Sequence, residues 1–216
     1  MKTAIIVGST GLVGSHLLEL LTNNSNYSSI KVIVRKTSNN RIRKVNELVV
    51  NFNHLSLVKN DLIGDDVFCC LGTTIKNARS KEAFKKVDYE YCVSIAQLCF
   101  ENGAKNFYIV SALGANKNSS VFYNKVKGEM EEVISKIGFN SIYIFQPSLL
   151  LGNRKEFRLG EKIAQFIFKP LSKIMIGSLK KYAAIESNKV AYAMNYFSNN
   201  NKQGVHIISN EQMLDL

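Results

Sequence analysis

Tyr123 and Lys127 stand four residues apart in Tyr123-Asn124-Lys125-Val126-Lys127. In a helix that spacing puts both side chains on one face. A phenol titrating near pH ~10 is a poor acid–base group at neutral pH. A lysine cation beside it stabilises the phenolate and draws the pKa towards the working range. The pair could therefore pass a proton to or from a carbonyl or alcohol oxygen. Upstream, Ser111 in Ser111-Ala112-Leu113-Gly114 offers a hydroxyl that could orient such an oxygen.

A second group near the N-terminus could hold phosphate. Gly8-Ser9-Thr10-Gly11-Leu12-Val13-Gly14 reads GxxGxxG, directly after an apolar run and at the start of a helical pattern. Gly8 permits a tight turn, Gly11 lets the backbone approach a pyrophosphate, and Gly14 lets helix and strand pack closely. The helix N-terminus then faces the negative charge. The next strand ends Val32-Ile33-Val34-Arg35-Lys36, without the acid that holds a ribose 2′-hydroxyl in NAD sites. Arg35 instead presents a planar donor fork suited to a 2′-phosphate. NADP(H) is thus favoured, with NAD(H) as the alternative.

The elements that must position these residues alternate strand and helix. Strands are predicted over Lys2 to Val7, Ile30 to Val34, Glu47 to Val50, Asp66 to Leu71, Phe107 to Val110 and Ser141 to Phe145. Helices are predicted over Gly11 to Leu21, Ser80 to Asn102 and Tyr123 to Lys136. Short buried runs joined by amphipathic helices argue for parallel strands with right-handed crossovers. The expected class is α/β, a doubly wound parallel sheet (Rossmann fold), whose ligands lie at the C-terminal ends of the strands. Further helices are predicted over Glu161 to Ile176 and Ser187 to Ser198, with a last strand over Val205 to Ile208. Residues 148–216 are too few for a second domain and should supply a small C-terminal cap and the last strand. One domain over residues 1–216 follows.

Composition agrees with a globular chain: 46% hydrophobic, 21% charged, two prolines and no linker-like block. No run approaches the roughly 20 apolar residues of a membrane span, and no signal peptide is visible. Cys69, Cys70, Cys92 and Cys99 show neither a CxxC pair nor metal spacing and read as buried thiols, which suits a reducing cytoplasm. His16, His54 and His206 share no spacing. The net charge of +11 is scattered: Arg41, Arg43 and Lys44; Lys76, Arg79, Lys81, Lys85 and Lys86; Lys180 and Lys181. No nucleic-acid motif accompanies it, so nucleic acid is not an expected partner. A small-molecule substrate is, and a homodimer is compatible with the chain.

In order, GxxGxxG, the serine after the fifth strand and YxxxK resemble the signature of short-chain dehydrogenases/reductases. The chain is similar along nearly its full length to the small atypical branch that includes the Tat-interacting-protein-like oxidoreductases. The stretches carrying that likeness are Cys69 to Thr74, Val87-Asp88, Ser111 to Ala115, Tyr123 to Glu129 (YNKVKGE) and Gln146 to Gly152. The resemblance implies that Leu71-Gly72-Thr73 lines the adenosine side, that Tyr123 is the proton donor and acceptor, and that Lys127 binds the nicotinamide ribose. It places Asn51-Phe52 beside the adenine and Pro147 at the cofactor. Two departures stand out: relatives commonly carry Ser-Ser where this chain has Ser111-Ala112, and an arginine where it has Gln146. Arg154, Glu156 and Arg158 resemble a family motif that could touch substrate.

The leading expectation is an NADP(H)-dependent oxidoreductase for a small carbonyl or alcohol, with Ser111, Tyr123 and Lys127 catalytic. A redox-neutral epimerase or dehydratase would use the same machinery. A non-catalytic NADP(H) sensor would not need the Tyr-Lys pair. A membrane-associated variant using the basic stretch from Lys162 to Lys173 is a further alternative.

Overall fold

The computed structural model describes residues 1–37, 42–152 and 177–216. Seven strands form one parallel sheet: β1 Lys2–Val7, β2 Tyr27–Val34, β3 Val45–Val49, β4 Asp66–Cys69, β5 Asn106–Val110, β6 Ser141–Gln146 and, after a small β7 Leu150–Leu151/β8 Ile185–Glu186 pair, β9 Gly204–Ser209. Their order is β3-β2-β1-β4-β5-β6-β9. The chain winds outward from β1 to β3, returns to the centre at β4, then winds the other way. That reversal between β1 and β4 is the switch point where such sheets open a ligand crevice.

Helices α1 Leu12–Asn23, α2 Ile75–Ala78, α3 Lys81–Lys85, α4 Tyr91–Glu101, α5 Phe122–Ser135, α6 Ser187–Asn199 and α7 Asn210–Asp215 connect or flank the strands. Alternate strand residues serve opposite layers. Ala4 and Ile6 join Leu17 and Leu21 of α1 and Val190 and Met194 of α6. Ile5 and Val7 join Ile95 and Cys99 of α4 and Met130 and Ile134 of α5. On the first face Phe68, Tyr108, Tyr143 and His206 stack across four neighbouring strands at centroid spacings of 4.8, 5.3 and 4.7 Å.

The two edges of the sheet differ. At the N-terminal end of β4, the buried Asp66 carboxylate accepts from Tyr27 Oη and Asn106 Nδ2, both at 2.6 Å, and pairs with Lys2 Nζ at 3.0 Å. This edge is closed by a satisfied polar cluster. The C-terminal edge carries the glycine loop and the other candidate site residues.

Several elements differ from expectation. The single helix foreseen over Ser80 to Asn102 is α3, a π-helical turn over Lys86–Glu90 and α4. A kinked 3-10 segment, Phe52–Asp61, lies between β3 and β4, where no element is predicted. In the C-terminal stretch, α6 packs beside α1 and β9 extends the sheet, so both continue the main layers. The helix expected over Glu161 to Ile176, and Arg154, Glu156 and Arg158, lie outside the described residues.

Candidate functional site

Two glycines of the loop after β1 have no room for a side chain. Gly8 has φ +84°, and a Cβ there would stand 2.5 Å from the Cys70 carbonyl oxygen. A Cβ on Gly14 would stand 2.2 Å from the Gly8 carbonyl oxygen. The Gly11 amide donates to Gly8 O at 3.0 Å, closing the turn. Ser9 is buried and Thr10 exposed, while Val13 points into the core and Leu12 lies against the Gly152 backbone. No side chain caps α1, and its first turn holds no acid. Free amides at a helix start beside a Cβ-free cradle fit a pyrophosphate.

The other predicted binding residues follow strand ends on the same edge. Arg35 is exposed just past β2. Asn51, past β3, is exposed; its side-chain oxygen accepts from the Asn53 amide at 3.0 Å and retains a second lone pair. Phe52 tilts against Tyr91 at 5.3 Å. Leu71, Gly72 and Thr73 follow β4. Pro147, buried after β6, accepts from the Leu113 amide at 2.8 Å, which ties it to the segment after β5.

Tyr123 and Lys127 occupy the first half of α5. Lys127 is buried, with 3% side-chain exposure, and its ammonium lies 2.8 Å from Asp88 Oδ1, itself 1% exposed. The other Asp88 oxygen accepts the Thr73 amide at 2.8 Å. A Cβ on Gly72 would stand 3.4 Å from Asp88 Oδ1 and 4.0 Å from Lys127 Nζ. One carboxylate thus joins the π-helical turn, the loop after β4 and α5. Burial alone would pull the Lys127 pKa down, but the charge of Asp88, helped by Tyr123 and Cys92, outweighs it and leaves it raised. The ammonium stays charged.

Tyr123 is half-buried against the Phe84 ring of α3, at 5.4 Å between centroids. Its phenol is shifted upward: burial leads, the Lys127 charge opposes it, and the Asp88 charge adds to it. The lowering expected from the lysine is outweighed because Asp88 offsets that charge and the ring is desolvated. At neutral pH the phenol holds its proton.

Ser111, directly after β5, is 5% exposed. Its hydroxyl donates to Glu131 of α5, and that carboxylate also accepts from Gln146 Nε2 at 3.0 Å through each oxygen. Gln146, noted in the sequence as replacing an arginine, thus serves Glu131.

Three positions escaped the sequence reading. Asp88 lies in the Val87-Asp88 stretch of the family likeness, which by itself implies no role for it. Glu131 extends the Tyr123, Lys127 spacing by four more residues, a signal that was available. Gly128 sits where a Cβ would stand 2.2 Å from the Lys117 amide nitrogen, so its lack of a side chain lets the 112–119 segment lie against α5. The cysteines are free, and burial pushes the Cys70 and Cys99 thiols up to about 12. His16 and His54 are exposed. Among the described residues no helix is long and apolar enough to cross a membrane.

A family model described as "NAD dependent epimerase/dehydratase family" matches residues 4–133. Among curated proteins, FMP52 of Candida albicans is 34% identical, covering 99% of this chain and 97% of that protein. HTATIP2 of Rattus norvegicus is 35% identical over 77% of this chain and 70% of its own length. Among solved structures, MoeE5 in complex with UDP-glucose and NAD aligns at a TM-score of 0.69, with 12% identity, over 99% of this chain and 80% of that one. The Bordetella bronchiseptica enzyme WbmH in complex with NAD+ aligns at 0.70, with 16% identity, over 97% and 75%. These two likenesses are of fold. The fungal FMP52 proteins, including that of Eremothecium gossypii at 30% identity, are named mitochondrial. That overturns the cytoplasmic location read from the sequence. Buried free thiols speak only of a reducing environment, which is not an address.

Proposed function

The chain belongs to the NAD dependent epimerase/dehydratase family, and from that premise we propose that it is an NADP(H)-dependent oxidoreductase acting on a small carbonyl or alcohol. The observation that supports this most is the Tyr123–Lys127–Asp88 arrangement, a protonated phenol beside a cation fixed in a buried ion pair. A sensor without turnover has no need of a buried ion pair one helical turn from that phenol.

The pyrophosphate would lie on the Gly8–Gly14 loop and the amides of α1, with Arg35 at the 2′-phosphate and Leu71, Gly72 and Thr73 along the ribose. Bound there, the nicotinamide supplies or takes the hydride. In the reducing direction Tyr123 gives its phenolic proton to the carbonyl oxygen as the carbon gains that hydride, and the hydroxyl product leaves neutral. In the oxidising direction the phenolate takes the alcohol proton back. Lys127, its ammonium fixed by the ion pair with Asp88, has three N–H donors, from which ribose hydroxyls and the phenolate would be served. Mitochondrial work is proposed from the names of the FMP52 relatives.

A redox-neutral reading is favoured by the family description itself. It differs in one measurable respect: no net oxidation or reduction of the cofactor accompanies product. A panel of small carbonyls assayed by NADPH absorbance, followed by Tyr123→Phe, tests the proposal. The variant should keep cofactor affinity and lose roughly two to four orders of magnitude in turnover. Undiminished turnover would remove Tyr123 from the chemistry.

A further inference from the structure

Tyr123, Lys127 and Glu131 form an i, i+4, i+8 stripe on α5, so the glutamate lies on the same face one turn beyond the lysine. It is 8% exposed, and a carboxylate that deep is found only with partners. Its partners arrive from two strands: the Ser111 hydroxyl from the end of β5 and the Gln146 amide from the end of β6. One carboxyl therefore clasps the helix bearing the Tyr-Lys pair to both strand ends that border it.

A serine hydroxyl has a single proton. While Glu131 is ionised it can only accept, so that proton is committed to it. Ser111 can then offer the cleft lone pairs and nothing else. Once Glu131 is protonated its own O–H can donate to Ser111 Oγ, and the serine proton is freed from the carboxyl. The Gln146 amide keeps an acceptor oxygen on Glu131 in either state.

We propose that Glu131 is a positioning residue whose protonation switches Ser111 between a hydroxyl locked into the fold and one that donates to the substrate oxygen beside Tyr123. This rests on the oxidoreductase reading and adds regulation by pH to the same site. Burial favours the neutral carboxyl and holds its pKa above the usual range, against the Ser111 and Gln146 hydrogen bonds and the Lys127 charge. Among the described residues, the charges along this face are Lys127 on α5 and its partner Asp88 on the π-helical turn, with the titratable Tyr123 beyond. The strand ends contribute only neutral Ser111 and Gln146. Lys127 stays charged throughout, leaving Glu131 as the group that changes.

The test uses wild type, Glu131→Gln and Ser111→Ala, read in two ways. The first is thermal unfolding against pH, without cofactor or substrate. A carboxyl whose folded pKa is raised adds stability below the unfolded value and loses it as pH rises through the folded value. Wild type should therefore lose Tm relative to Glu131→Gln across that window. In Ser111→Ala the midpoint should move upward, because a hydrogen bond to the ionised form is gone. An unmoved midpoint would break the link between the two residues.

The second reading is carbonyl reduction against pH in the saturated holoenzyme. Wild-type kcat should fall as pH rises through the same midpoint. Glu131→Gln, which does not titrate, should lack that step. Ser111→Ala should be slow at every pH, by on the order of a hundredfold, as for the loss of one oxyanion donor, with KM little changed. Full turnover in Ser111→Ala, or a wild-type pH step persisting in Glu131→Gln, overturns the switch. Failure of the oxidoreductase reading looks different: Tyr123→Phe turns over normally while the unfolding midpoints still behave as described.

Discussion

At the residue scale, Asp88 decides what Lys127 can do. Removing one partner of a buried ion pair leaves the other charge uncompensated, at a typical cost of about 3–5 kcal/mol. Asp88→Asn keeps an oxygen for the Thr73 amide but deprives the Lys127 ammonium of its counter-charge. The sign of the pH dependence should then invert. In the wild type the Lys127 pKa is raised, so its contribution is complete below the usual lysine value of ~10.4 and fades only above it. In Asp88→Asn burial dominates, the folded pKa drops below the unfolded one, and stability is lost as pH falls through it. Thermal unfolding between roughly pH 7 and 10 separates the two: the variant should gain Tm with rising pH where wild type gains none. A variant curve parallel to wild type would mean that the pair does not control the lysine charge. Cofactor preference is also set by single residues. Arg35→Ala should bring NADP(H) affinity down to that of NAD(H), because the 2′-phosphate loses its charge-assisted partner. Equal wild-type affinities by calorimetry would remove Arg35 from that role.

At the element scale, the segment between β5 and α5 is held in place by an absence. Gly128 faces the Asn116 and Lys117 backbone, and the Asn116 amide donates to Asn124 O at 3.0 Å. Gly128→Ala would place a carbon 2.2 Å from the Lys117 nitrogen, and since that neighbour is backbone, the segment must move. The expected outcome is a loss of about 1–3 kcal/mol with a disproportionate loss of turnover, since Ser111 and Tyr123 bound the displaced stretch. Cofactor affinity should change little, because the Gly8–Gly14 loop belongs to other elements; a calorimetric titration beside the unfolding curve tests both halves. The strands were legible because a fully buried strand reads as a short apolar run, and β4 to β6 depart from expectation by at most two residues at either end. The π-helical turn was not. One extra residue in the turn carrying Asp88 leaves Phe84, Cys92, Ile95 and Cys99 buried as a regular helix would, so the apolar pattern hides it. The 3-10 segment was hidden differently: Leu55 is its one buried residue, too little to make a period. Glu131 was missed because a glutamate on a helix is usually solvated; its burial depends on Ser111 and Gln146, which only the folded sheet brings to it.

At the scale of the whole molecule, the proposed cofactor would touch both halves of the sheet. The glycine loop and Arg35 follow β1 and β2, whereas the Tyr-Lys pair sits on α5 between β5 and β6. The unfolded chain has no such constellation, so binding is confined to the folded state. A ligand of that kind stabilises by RT ln(1 + [L]/Kd), about 2.7 kcal/mol at a hundred times Kd. For a chain of this size each kcal/mol moves Tm by roughly 2–4 °C, so saturating NADPH should raise Tm by roughly 5–11 °C. At equal concentration NADH should raise it less. The gap between the two has an electrostatic origin, since an extra phosphate dianion meets Arg35 on a chain of net charge +11. Salt screens exposed charges over about 8 Å at physiological strength and about 3 Å at 1 M. The NADPH shift should accordingly shrink more with added salt than the NADH shift, and the two should converge. Arg35→Ala should show that convergence already at low salt. Salt curves for the two cofactors that stay parallel would place the preference in uncharged contacts, and an absent shift with either would remove the dinucleotide from the crevice.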